Sequence, residues 1–161
     1  MTAVVERPIA QGRRLVLLRS GLGLLAATQA VIGGWALLAP RAFYNGFPAA
    51  GHAWVALLPP YNEHLVRDVG ALSLAITVML VVAAVTADRR VSATALAAYA
   101  VYAVPHTLFH GLHLHGFSVE DAVAQMGGFV FQLVLIAATG WLLCHHLTPS
   151  STKDRPEGAS E

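Results

Sequence analysis

Four predominantly apolar stretches constrain this chain most, because each can cross about 30 Å of hydrocarbon, a distance that takes about 20 helical residues. They cover residues 15–39, 64–87, 91–114 and 121–144. Leu, Ala and Val fill them, without the period-two alternation of a membrane β-strand, so helices are expected. The fold class that follows is all-α: an integral membrane four-helix bundle, with residues 1–147 as one transmembrane domain. The composition agrees, since 56% of the 161 residues are hydrophobic and only 12% are charged. A formal net charge of +1 leaves no basic patch to neutralise a run of phosphates, which excludes nucleic acid as a partner. The lone Cys144 excludes an internal disulfide and any cysteine-rich metal site.

The connections fit four spans. Asp88, Arg89 and Arg90 make a tight charged turn, and residues 115–120 make another, in which Ser118 is placed to cap the fourth helix. Only the first connection, residues 40–62, is long. It holds Phe43, Tyr44, Phe47, Trp54 and Tyr61 among four prolines, so it reads as an interfacial loop with a short helix. Residues 148–161 are rich in Ser, Pro and charge, and are expected to form a disordered tail.

Lys and Arg set the orientation. Arg7, Arg13, Arg14, Arg89, Arg90, Lys153 and Arg155 fall on one side of four spans, and Arg41 and Arg67 on the other. The positive-inside rule then puts both termini in the cytoplasm of a plasma (inner) membrane protein. Arg13 and Arg14 before an apolar run also fit a secretory signal, but the run is long and Arg19 interrupts it, which favours a retained span. Arg19 lies where its side chain can snorkel to the interface.

The eight histidines need an explanation. Four spans put His52, His64, His106, His110, His113 and His115 in the outer half, while His145 and His146 end the fourth helix at the opposite face. Tyr99, Tyr102, His106, His110 and His113 are spaced three, four, four and three residues apart, which is one face of a helix. That stripe should point into the bundle, since ionisable groups facing lipid are costly. Pro105 within it removes a backbone bond and predicts a kink. At the start of the second span, His64 and Asp68 share a face, and Glu63 can pair with Arg67. The fourth span contributes Asp121 and Gln125 at the same depth, followed by Gln132 and Thr139. A polar pocket beneath the outer surface is therefore expected, with Arg67, Tyr102, His113, Asp121 and Gln125 in its wall.

Three readings compete for this pocket. In the first, His106 and His110 are a metal-ligand pair and His64, Asp68 or Glu63 completes the shell, a donor set suited to Zn, Fe or Cu. In the second, histidines from two helices ligate a haem iron, or the pocket holds a quinone. In the third, the polar groups tie helix ends together and have no ligand. Nucleophilic catalysis has little support, because no Gly-x-Ser-x-Gly elbow or phosphate-binding loop is present. Paired glycines at 21 and 23, 33 and 34, and 127 and 128 are expected to allow close helix approach. Gln29 and Gln132 are expected to hydrogen-bond across helices.

Residues 61–70 (Tyr-Asn-Glu-His-Leu-Val-Arg-Asp-Val-Gly) and 105–110 (Pro-His-Thr-Leu-Phe-His) resemble segments of small four-span proteins of high-GC bacteria. The layout, with a long first connection and a polar start to the second helix, resembles the DoxX-like group. Some members of that group are subunits of redox enzymes, so the resemblance implies a redox-associated accessory role. It transfers no catalytic residue. The leading expectation is a metal-binding or redox-associated accessory protein in the lipid bilayer, with a membrane-protein partner or a second copy of itself. The alternatives are a noncatalytic structural subunit and a small enzyme acting on a lipid or quinone, with His106 or His110 as general base.

Overall fold

A computed structural model describes residues 6–58 and 60–146, with side chains described from 12 to 58 and 60 to 144. The expected tail at 148–161 and the side chains of His145 and His146 lie outside the described residues. Among the described residues five helices follow one another: α1 (Glu6–Leu38), α2 (Pro40–Gly46), α3 (Glu63–Thr86), α4 (Arg89–Leu112) and α5 (Val119–His146). No strand occurs among the described residues.

Local chemistry sets the helix starts. The Asn62 side chain accepts from the Leu65 N–H at 3.2 Å, and Asp88 accepts from Arg90 and Val91 at 2.9 and 3.0 Å. Ser118 accepts from the Asp121 N–H at 3.1 Å, as a helix cap should. The α4 helix runs unbroken through Pro105. The short helix expected in the long connection is α2, which has Pro40 at its first position, where a missing N–H costs nothing.

Among the described residues three helical segments are long and apolar enough to cross a membrane: Gly12–Leu38, Glu63–Thr86 and Val119–Cys144. The chain is accordingly a membrane protein with helices compatible with lipid contact. Their outward faces carry Val16, Leu24, Val31, Leu72, Val78, Val85, Val123 and Val134, all exposed. The α4 helix is equally long but less apolar, because Arg89, Arg90 and its Tyr and His stripe dilute its Ala and Val.

The long helices form a ring in which α1 packs on α3, α3 on α4, α4 on α5 and α5 on α1. Neighbours run antiparallel. Arg19 donates to the Val85 carbonyl at 3.2 Å, and Arg67 to the Leu37 carbonyl, so each arginine closes a free carbonyl at the other helix's C-terminal end. The α1–α3 crossing is close because it meets at glycines. A Cβ on Gly33 would lie 2.9 Å from the Gly70 carbonyl oxygen, and one on Gly70 would lie 2.9 Å from the Leu37 Cα. Gly21 similarly admits Thr139 of α5. Gly23, Gly34, Gly127 and Gly128 have no heavy atom within 4 Å of such a Cβ, so one glycine in each of the first two pairs, and neither of the third, serves close approach.

One half of the bundle is solidly filled. Leu18, Leu22, Leu25, Leu80, Ala83, Ala95, Leu96, Ile136 and Leu143 form its core, together with fully buried Tyr99. Gln29 donates to the Tyr99 hydroxyl at 2.6 Å, which realises the cross-helix bond expected of Gln29 and links α1 to α4 across the ring. Beyond that bond the helices enclose a space.

Candidate functional site

That space is a cavity of about 370 Å³ between the four long helices and the 40–62 connection. The stripe on α4 lines it as a ladder of rings. Tyr102 stacks on His106 at 5.0 Å between centroids, and His106 meets His110 edge-on at 4.6 Å. Phe129 of α5 lies against both imidazoles, at 5.1 and 4.9 Å. Gln29 of α1 and Gln125 and Gln132 of α5 add amides, and Leu65, Val66 and Val69 of α3 close the wall. His113 leaves the stripe where α4 ends. Its ring stacks on Phe109 at 4.1 Å and its Nδ1 donates to the Phe109 carbonyl at 2.7 Å.

The cover is aromatic. Phe43 of α2 packs on Phe47 at 4.9 Å, Trp35 of α1 meets Phe43 at 5.7 Å, and Phe47 meets Trp54 at 6.2 Å. The aromatic residues read as interfacial anchors therefore include a roof: Phe43, Phe47 and Trp54 line the cavity. Asp121 fastens this roof. Its Oδ1 accepts from the Trp54 indole at 2.8 Å and from His52 Nδ1 at 2.7 Å, while Ser118 Oγ donates to Oδ2 at 3.0 Å. At the rim, the Arg41 guanidinium sits 3.8 Å over the Tyr61 ring, whose hydroxyl donates to Glu63. Desolvation, and then the Glu63 carboxylate, push that hydroxyl above the usual tyrosine range.

The expected partners on α3 do not join the imidazoles. Glu63 pairs with Arg67 at 2.9 Å and His64 with Asp68 at 3.3 Å, and the His64 side chain is 87% exposed. Helical phase is the reason. Turning about 100° per residue, α3 aims Asn62, Leu65, Val66 and Val69 at the cavity, which carries Glu63, His64, Arg67 and Asp68 away from it. Asp121 and His113 are likewise spent elsewhere, so of the expected wall only Tyr102 and Gln125 line the cavity.

These positions decide the fit of a resident metal or haem. Among the described residues no group of three or more His, Cys, Asp or Glu is placed to hold a metal ion. His106 and His110 are two donors without a third, against the three or four protein ligands of a zinc site. Two axial histidines must also face each other across a haem, whereas His106 and His110 are one turn apart on a single helix and His64 points outward. Neither group suits this cavity.

What the cavity offers is neutral hydrogen bonding in an apolar enclosure. Among the described residues no Asp, Glu, Lys or Arg lines it. Gln29, His110 and Gln125 are 2%, 8% and 3% exposed; no bond of good geometry reaches Gln29 Oε1, while the His110 and Gln125 side chains lie within reach of each other. Buried polar atoms are nearly always bonded, so Gln29 Oε1, His110 Nδ1 and Gln125 Oε1 are exceptions among the residues around the cavity, although none of the three atoms is itself exposed to the open space. The orphan atoms, the aromatic roof and Phe129 were the features hardest to foresee, because they depend on which helices meet at this depth. The chain matches no protein-family model, no curated protein and no solved structure.

Proposed function

We propose that this protein is a four-span membrane bundle, with both termini cytoplasmic, that binds a small neutral molecule in a cavity near the outer membrane face. Counting α4 as the fourth span is supported by its 24 residues, the same length as α3, which it accompanies in antiparallel register. Its outward Val101, Leu108 and Leu112 are exposed and apolar, as lipid contact requires. The orientation is supported by arginine placement: Arg13, Arg14, Arg89 and Arg90 lie at one end of the bundle, and Arg41 and Arg67 at the other.

One observation carries the binding reading: a partly open space of about 370 Å³, walled by aromatic and aliphatic side chains with Gln29, His106, His110, Gln125 and Gln132 among them. Small-molecule sites are apolar concavities with a few convergent polar groups, commonly about 300–1,000 Å³, and are found between the helices of bundles. A membrane setting supplies apolar guests directly. A redox-associated accessory role, as the DoxX-like resemblance implies, is compatible with such a guest, and nothing in the cavity requires catalysis.

The test is titration of naphthalene into the full-length protein in lipid nanodiscs, read by quenching of tryptophan fluorescence near the cavity. Saturable one-to-one quenching, weakened in Val66→Phe, whose ring narrows the cavity without adding a fluorophore to the tryptophan signal, supports the reading. Quenching that only rises linearly with membrane partitioning, equal in both proteins, would refute it.

A further inference from the structure

The cavity is open on one flank of the bundle, and that flank faces lipid. Leu65 of α3 and Phe109 of α4 both line the cavity, yet they are 58% and 45% exposed, against 8% for His110 in the same wall. A side chain that lines a cavity and also faces outward stands at its mouth. Ala83 lies about five full turns along α3 from Leu65 and so shares its face. There the face is sealed, since Ala83 is fully buried in the core with Ala95 and Leu96 of α4. The two helices therefore stay together near the 88–90 turn and part toward the other end, where Leu65 and Phe109 flank a gap. The roof of Phe43, Phe47 and Trp54 covers the end of the cavity, so this gap is a side opening. Its outward neighbours, Leu72 of α3 and Leu108 and Leu112 of α4, are exposed and apolar, as a surface toward hydrocarbon is.

We infer that the cavity receives a neutral ring compound carrying an apolar chain, taken laterally from the bilayer, with the ring inside and the chain passing between Leu65 and Phe109 into the lipid. This inference rests on the binding reading above and adds to it a route and a ligand class. The walls place the ring inside: Phe43, Phe47, Trp54, Tyr102 and Phe129 line the space, and aromatic pairs gain energy beyond their buried area. An apolar cavity of about 150 Å³ admits benzene, so about 370 Å³ takes two fused rings with short substituents. A longer chain leaves by the mouth, where both flanking side chains are apolar. The guest is neutral because, among the described residues, no charged side chain lines the wall, and an ionised group would lose its hydration without a counter-charge.

The experiment compares naphthalene with 2-octylnaphthalene on the full-length protein in nanodiscs, with affinities expressed per mole fraction of probe in the membrane. A chain that stays in hydrocarbon gains and loses little on binding, so the two affinities should agree within about threefold. An octyl chain forced into a closed space would overpack the walls and weaken binding about tenfold or more. Leu65→Phe, which adds bulk at the mouth, should weaken octylnaphthalene about fivefold or more and naphthalene no more than about twofold. Leu108→Phe adds the same bulk on the lipid-facing side away from the cavity and should change neither. Retained naphthalene binding reports that a variant is folded. If Leu65→Phe loses both probes, the chain comparison in the unaltered protein decides. Binding of naphthalene without octylnaphthalene, or equal octylnaphthalene affinity with and without Leu65→Phe, would overturn the lateral route while leaving the binding reading intact. Displacement of naphthalene by dodecane at the same mole fraction would overturn the ring class. Saturable binding of neither probe would overturn both the inference and the binding reading.

Discussion

Trp54 and Asp121, sixty-seven residues apart in sequence, are joined by an indole N–H···Oδ1 hydrogen bond of 2.8 Å. It fixes the connection between α2 and α3 to the first turn of α5. His52 reaches the same oxygen and Ser118 the other one, so a single carboxylate holds the roof over the cavity. A roof held at one point suggests a way in.

Replacing Asp121 with Ala should therefore loosen residues 47–58 without disturbing the filled half of the bundle. Hydrogen exchange should rise in that segment and stay unchanged around Leu22, Leu80 and Leu96, which form the core at the other end. Release of a bound ring compound should also become faster. Unchanged exchange in 47–58 would mean that aromatic packing alone holds the roof.

The α1–α3 crossing makes a prediction of stability. A Cβ at Gly70 meets the Leu37 backbone, which cannot swing aside as a flexible side chain would. Gly70→Val should destabilise the bundle by about 2 kcal/mol, within the usual range for overpacking. Gly34→Ala, where a Cβ meets nothing within 4 Å, should be neutral or slightly stabilising. Titration of the reconstituted protein with sodium dodecyl sulfate would rank the two. Equal loss in both variants would remove close packing as the explanation.

How far the sequence reaches can be seen by comparing these two regions. Helix positions follow from hydropathy and, for α5, from Ser118 at the helix start, because those signals are local; the caps Asn62 and Asp88 came from the structure. The α4 stripe was legible for the same reason: three- and four-residue spacing makes Tyr102, His106 and His110 share a face whatever surrounds them. The face that α3 turns toward that stripe was not legible. His64 and Asp68 share a face of their own, but rotation of α3 about its axis is set by Gly33 meeting Gly70, a contact between distant segments. That rotation sends Leu65 and Val69 inward. Gly70 was visible only as part of a distinctive segment, since nothing about a glycine in sequence reveals which backbone will approach it.

Orientation can be checked directly. Single cysteines at Gly51 and Gly116, in a Cys144→Ser background, should react with a membrane-impermeant maleimide added to intact cells. A cysteine at Arg89 should react only after lysis, because the turn between α3 and α4 lies at the opposite end of the bundle. The reverse pattern would invert the bundle, and reaction of all three from outside would break the four-span count.

The last prediction concerns metal, the chemistry that a histidine-rich chain first suggests. His106 and His110 offer two imidazoles one turn apart, but their neighbours are Tyr102 and Phe129, and among the described residues the carboxylates of Glu63 and Asp68 are paired elsewhere. A divalent ion there would keep most of its charge uncompensated inside an apolar wall. Protein purified in detergent should therefore carry well under one equivalent of zinc, iron or copper by elemental analysis, and no Soret band. The discriminating variant is His106→Phe with His110→Leu, which preserves bulk and removes both donors. It should remain folded and keep the affinity for naphthalene within a few-fold, because ring walls and volume are retained. If the unaltered protein carries one equivalent of metal that this variant loses, the imidazoles are ligands after all, and the cavity belongs to a metal centre completed by water, a guest or a partner chain.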